Sequence, residues 1–279
     1  MVQHTLFTKY DYIKTLLVTV LVTLSAGTDF AKAQNVLGAR SVGMGQAVTA
    51  LANSGWGLFS NPAVISARQS TVSFFGIRYY GLSEITDMAA VGTFPAKWGV
   101  IGVGAHRYGF ELFSESRIRI AYKHSFQGFH YGAVLNYNHI AQGGGYGSAG
   151  AVGLDLGIAA PLFDGGWIGA RATNINHPRY GNTEEPLPRE LAIGLSYRLS
   201  GIALFTSDVV KDVRFPLAYR GGVEVKIFER FAGRVGVTTL PATFAAGFGY
   251  SFGIWEINVV AQHHAELGIS PGLDLSLNL

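Results

Sequence analysis

The chain has 279 residues, no cysteine, 37 glycines, 13% aromatic and only 14% charged residues, and a formal net charge of +3. The charged fraction is far below the roughly 25% of soluble domains. The small, scattered positive charge speaks against a nucleic-acid partner, and the lack of cysteine excludes disulfides and a lipidated N-terminal Cys. Hydrophobic residues make up 48% of the chain. Past the N-terminus no run reaches the roughly 18 apolar residues of a spanning helix. An apolar chain of this kind fits strands that turn alternate side chains to lipid.

Residues 1–33 read as a secretory signal peptide. Lys9 and Lys14 form a basic start, Leu16 to Leu24 an apolar core, and Ala31-Lys32-Ala33 a small-residue cleavage site. Residues 34–69 follow as a plug and are the one stretch that does not read as strand. Gly38, Gly43 and Gly45, together with an Asn61-Pro62-Ala63 turn, bracket an Ala-rich, weakly helical middle from Gln46 to Asn53. Pro62 lacks an N–H and pushes Asn61 toward extended geometry, so a helix has to end before it.

From residue 70 to the end, apolar residues alternate with small or polar ones, the period of a strand with one face buried. The pattern predicts fourteen strands: 70–80, 86–94, 99–108, 117–126, 130–140, 151–160, 167–175, 189–198, 202–211, 219–228, 231–238, 243–252, 254–263 and 273–279. Ile118, Ile120 and Tyr122 oppose Arg117, Arg119 and Lys123; Leu191, Ile193 and Leu195 oppose Ala192, Gly194 and Ser196. The connections alternate too. Tight turns such as Gln127-Gly128-Phe129 follow even-numbered segments. Longer ones, 109–116, 141–150, 176–188, 212–218 and 264–272, follow most odd-numbered segments. Short inner turns with longer outer loops are the habit of outer-membrane barrels. The expected fold is therefore an all-β, transmembrane, antiparallel up-and-down β-barrel, with both termini periplasmic. A soluble β-sandwich or lipocalin-like barrel would show the same alternation with its faces exchanged.

On the barrel reading, Arg117, Arg119, Lys123, Arg171, Glu224, Lys226, Arg234 and Glu256 face the lumen. There they pair across strands, Glu224 and Lys226 with Arg234, or line a polar channel. Gly99, Gly102, Gly104 and Gly109 crowd the third segment; they either weaken the wall for a lateral opening or clear space for the plug. His263 and His264 point to opposite faces of a strand and cannot share an ion. No nucleophile elbow or metal-protease motif is present, so no catalytic residue, metal or cofactor is expected.

The run Gly38-Ala39-Arg40-Ser41-Val42-Gly43-Met44-Gly45, then Trp56 and Asn61-Pro62-Ala63, resembles the mature N-terminus of FadL-superfamily outer-membrane proteins. It is most similar to their PorV/PorQ-like branch. The resemblance implies a fourteen-strand barrel with an N-terminal hatch, gated by those residues. It implies two roles: a non-enzymatic docking or shuttle component for secreted proteins or subunits of type IX secretion, or a passive transporter of hydrophobic, fatty-acid-like molecules through a hatch-gated lateral opening. Outer-membrane lipid is the expected surrounding in either case. The loops are too short for the large external groove of the fatty-acid members, and the chain ends in Leu279 where barrels commonly end in an aromatic residue.

Overall fold

A computed structural model describes residues 36–144, 147–181 and 185–279; the signal-peptide reading falls outside them. The strands are β1 (Thr71–Arg78), β2 (Thr86–Ala96), β3 (Gly99–Gly109), β4 (Phe113–Phe126), β5 (Phe129–Gln142), β6 (Gly147–Phe163), β7 (Gly166–Ala172), β8 (Glu190–Leu199), β9 (Ala203–Asp212), β10 (Leu217–Phe228), β11 (Phe231–Thr239), β12 (Ala242–Phe252), β13 (Trp255–His264) and β14 (Gly268–Asn278). Each pairs antiparallel with its neighbours in sequence, and β1 pairs with β14, so the sheet closes into a barrel. Closure removes the free edges that β1 and β14 would otherwise present, which matters where no water can satisfy one.

The faces divide as the alternation requires. Ile118 and Ile120 on β4, and Leu191 and Ile193 on β8, are 56–61% exposed on the outer wall. Glu224, Arg234, Arg171 and Asp274 are buried inside. Trp98 stacks on Tyr122, and Tyr250 on Phe252, near the tight-turn rim, where aromatic girdles sit in membrane barrels.

β4, β5 and β6 are taller than the apolar alternation predicts. Their ladders run up to Phe113↔Gln142 and Gln142↔Gly147. Most of 109–116 and 141–150, expected as loops, is thus strand, as are the ends of 212–218 and 264–272. Apolar periodicity fades above the lipid because neither strand face is then selected for grease, while backbone pairing continues.

Residues 36–66 lie within the barrel, almost entirely buried. They contain one short helix, α1 (Ala39–Gly43), and two 3-10 turns, Gly55–Phe59 and Pro62–Val64. The expected helix over 46–53 is absent. Gln46 and Asn53 sit at φ of +60° and +63°, and the N–H groups of Val48 and Thr49 donate to Asp208 on β9 instead of to a preceding turn. The lumen is not uniformly polar. Leu58, Phe59, Trp56 and Ile65 of the plug pack against Phe75, Ile77, Val91 and Val100 of β1–β3. Each large apolar side chain so buried contributes about 1.5–3 kcal/mol.

Candidate functional site

Irregular backbone inside a barrel needs its polar groups satisfied by the wall. Two of the predicted lumen charges, Arg119 and Lys123, do this, together with Ser196 and Asp208. Arg119 Nη1 donates to Leu58 O at 2.8 Å, Lys123 Nζ to Ile65 O at 2.6 Å and Ser196 Oγ to Ala50 O at 2.8 Å. Asp208 Oδ2 accepts from Val48 N, Thr49 N and Thr49 Oγ1 at 2.7–3.0 Å. Asp208 carries no signal in the sequence, because its partners lie some 160 residues away.

One clamp holds α1. Arg40 donates to both oxygens of Glu224, from Nε at 2.7 Å and Nη2 at 2.8 Å. Arg234 Nε donates to the same carboxylate at 2.7 Å, and Arg234 Nη1 to Asn258 Oδ1 at 2.6 Å; Asn258 in turn donates to Glu256. Bidentate, charge-assisted contacts of this kind are the strong ones. Lys226 was expected beside Arg234 and is not there. It shares the lumen-facing side of β10 but lies at the tight-turn rim, exposed, past the end of the plug. A second pair, Arg171 with Glu190, is fully buried, and Asp155 takes Arg119, Asn136 and the Asn174 amide. Arg117 pairs with Glu115 at 3.2 Å near the mouth.

The Asn61-Pro62-Ala63 motif works locally and at range. Asn61 Oδ1 accepts from Ala63 N, and its Nδ2 donates to Thr49 O at 2.7 Å and Ile158 O at 3.1 Å. Pro62 then starts the 3-10 turn, where its missing N–H costs nothing. The wall opposite is glycine: a Cβ on Gly157 would overlap the Asn61 side chain, and one on Gly236 would overlap Gly45 N. Gly38, at φ +96°, lies directly under the Trp56 indole.

The glycines of β3 belong to the same fit. A Cβ on Gly102 would meet Leu58 and Ile65, and one on Gly104 would overlap Leu58; Gly99 and Gly109 are positive-φ strand ends. The ladder through β3 is unbroken on both sides, from Asp87↔Tyr108 to Ala96↔Gly99 and from Val100↔Lys123 to Gly109↔Ser114. No break is seen in the ladder of β3, and Gly102 and Gly104 make room for the plug. The wall is thin elsewhere. β7 stops at Ala172, so the upper edge of β6 is completed by a loop. Asn176 imitates a strand there: its Oδ1 accepts from Leu154 N and its Nδ2 donates to Val152 O, both at 2.9 Å.

Above the plug, at the long-loop end, lies a pocket of about 410 Å³. Tyr79, Tyr80, Tyr108 and Phe113 line one side, Leu240, Pro241 and Arg220 the other, and Gln46 of the plug lies at its inner end. Sequence reading gave no sign of this pocket, since its residues come from loops and strand ends far apart in the chain. Tyr79 OH donates to Asp87 at 2.8 Å, and His106 Nε2 lies 2.6 Å from the other oxygen of that carboxylate. Burial, with Asp87 adjacent, pushes the Tyr79 phenol well above its usual range, so it remains a neutral donor; burial also raises Tyr80.

No family model matches the chain, and no curated protein does. Solved structures do. The toluene transporter TbuX of Ralstonia pickettii superposes with a TM-score of 0.68 at 12% identity, over 88% of this chain and 99% of that one. The toluene transporter TodX of Pseudomonas putida gives 0.66 at 13% identity, over 89% and 98%. A Pseudomonas aeruginosa FadL homologue gives 0.54 at 11% identity, over 90% and 98%. This chain, a closed antiparallel barrel of fourteen strands, shares its fold with these barrels.

Proposed function

We propose that the chain is a passive, non-enzymatic channel of a bacterial outer membrane for small hydrophobic molecules, closed at rest by residues 36–66. The observation that carries this reading is the aromatic-lined pocket that opens at the long-loop end and terminates on the plug. Pockets of a few hundred cubic ångströms with mostly apolar walls and a few polar groups are the usual form of small-molecule sites. The fold shared with two toluene transporters supports the same class of solute. Tight turns and the plug's N-terminus then lie on the periplasmic side. A solute resting among the tyrosines passes only when the contacts of Arg40, Asn61 and the Val48–Thr49 turn give way.

The docking role in protein secretion has no comparable observation. Two of the outer connections it could use are short, residues 110–112 between β3 and β4 and 240–241 between β11 and β12, and the long one between β7 and β8, residues 173–189, carries no observation of a partner. The test is uptake of labelled toluene by cells whose outer membrane carries the chain, against cells that lack it. Faster uptake with the chain supports the channel; identical rates refute it.

A further inference from the structure

The polar group in the mouth pocket that the barrel itself does not use is Arg220 on β10. It is 7% exposed and lines the pocket. A guanidinium has five N–H donors. Arg220 places one, from Nη1, on Gln46 O at 3.4 Å, and its Nε has no partner. The other deeply buried arginines of the lumen, Arg119, Arg171 and Arg234, each have a carboxylate in contact. Among the described residues no carboxylate is in ion-pair contact with Arg220: of the two that act on it at longer range, Glu190 is paired with Arg171, and Asp208, directly across the ladder, gives its Oδ2 to the plug. A buried guanidinium whose neighbouring carboxylates are bonded elsewhere keeps donors free, and those donors open on the pocket are what an anion would use.

The rest of the pocket states what the anion is attached to. In the closed ring of strands β10 stands seven strands from β3 in either direction, so Arg220 faces the wall that carries Tyr108. That wall and the turn after β1 hold a cluster of rings: Tyr79 lies 6.1 Å from Tyr80 and 6.4 Å from Tyr108, centroid to centroid. Two carboxylates lie on that side, and both are taken: Asp87 by Tyr79 and His106, and Glu115 by Arg117. We infer that the mouth pocket selects a small aromatic carboxylic acid, with its carboxylate on Arg220 and its ring among Tyr79, Tyr80 and Tyr108. The space of about 410 Å³ holds a single ring with a short side chain. The assignment rests on the channel reading for its biological setting, and deepens it by naming the solute class.

The experiment compares benzoate with benzyl alcohol, which keeps ring and size but carries no charge, by equilibrium dialysis against the full chain in detergent at neutral pH. Charge-assisted hydrogen bonds exceed neutral ones by enough to expect at least a tenfold preference for benzoate, about 1.4 kcal/mol. Arg220→Gln should abolish the preference by weakening benzoate far more than benzyl alcohol; Arg220→Lys should restore part of it. Equal binding of the two solutes to the unaltered chain overturns the assignment without any variant having to fold, as does a preference that survives Arg220→Gln. Uptake separates the two proposals. Toluene entry without a benzoate preference removes the acid site and leaves the channel standing. Benzoate binding with no solute crossing removes the channel and leaves the site.

Discussion

Replacing Glu224 by Gln removes the one carboxylate shared by Arg40 and Arg234. Three charge-assisted bonds of 2.7–2.8 Å end on it. Breaking a buried pair from one side costs about 3–5 kcal/mol, because the remaining charge loses its partner. The low end applies, since Asn258 still accepts from Arg234 and Glu256 stands behind it. The wall keeps its backbone pairing at this position, Glu224 to Arg234 and to Leu204, so the loss falls on the contact between plug and wall. About 3 kcal/mol corresponds to more than a hundredfold rise in the population with α1 released. The chain has no cysteine, so Ser41→Cys, at a buried position of α1, gives a single reporter thiol. Maleimide labelling of that thiol should accelerate about a hundredfold when Glu224→Gln is added. A change below about threefold would refute the claim that this clamp holds the plug.

Three further outcomes follow. Gly236→Ala puts a methyl into Gly45 N; labelling at Ser41→Cys should rise while strand content by circular dichroism is unchanged. Asn176→Ala removes the side-chain acceptor of the Leu154 amide, so hydrogen exchange at Leu154 should speed up while that at Leu195, inside the β8 ladders, stays slow. Ile193→Arg places a charge on the outer face of β8 and should destabilise the barrel in lipid vesicles by about 2–4 kcal/mol in a denaturant titration if it sits near the bilayer midplane.

The wall was readable because a strand records its two faces every second residue. Ile118 against Arg119, and Leu191 against Ala192, place lipid and lumen without any partner being known. The Asn61-Pro62-Ala63 turn was readable because half its bonding is local, from Asn61 to Ala63. What escaped depends on pairs far apart in the chain. The middle of the plug looks weakly helical in isolation, and only Asp208, on the far side of the sequence, draws its amides out of a helix. Gly102 and Gly104 read equally as weak wall or as clearance until Leu58 is set against them. Phe75 and Ile77 alternate correctly, yet face inward, because the plug supplies an apolar surface that no periodicity on β1 announces. Lys226 has the right parity and the wrong height: alternation gives the face, not the depth. Arg220 stands in an ordinary alternating strand, and only the loops that meet it at the mouth show what it faces.

The most direct test of the account locks the plug reversibly. A Cβ on Gly43 would lie 3.6 Å from that of Arg234, within the separation a disulfide needs, so Gly43→Cys with Arg234→Cys should form a staple between α1 and the wall. Toluene uptake should fall to background in the oxidised protein and return on reduction, exceeding that of the unaltered chain because the clamp has also lost an arginine. Equal uptake in both redox states would contradict the account, since solute would then be crossing without the plug ever leaving the wall.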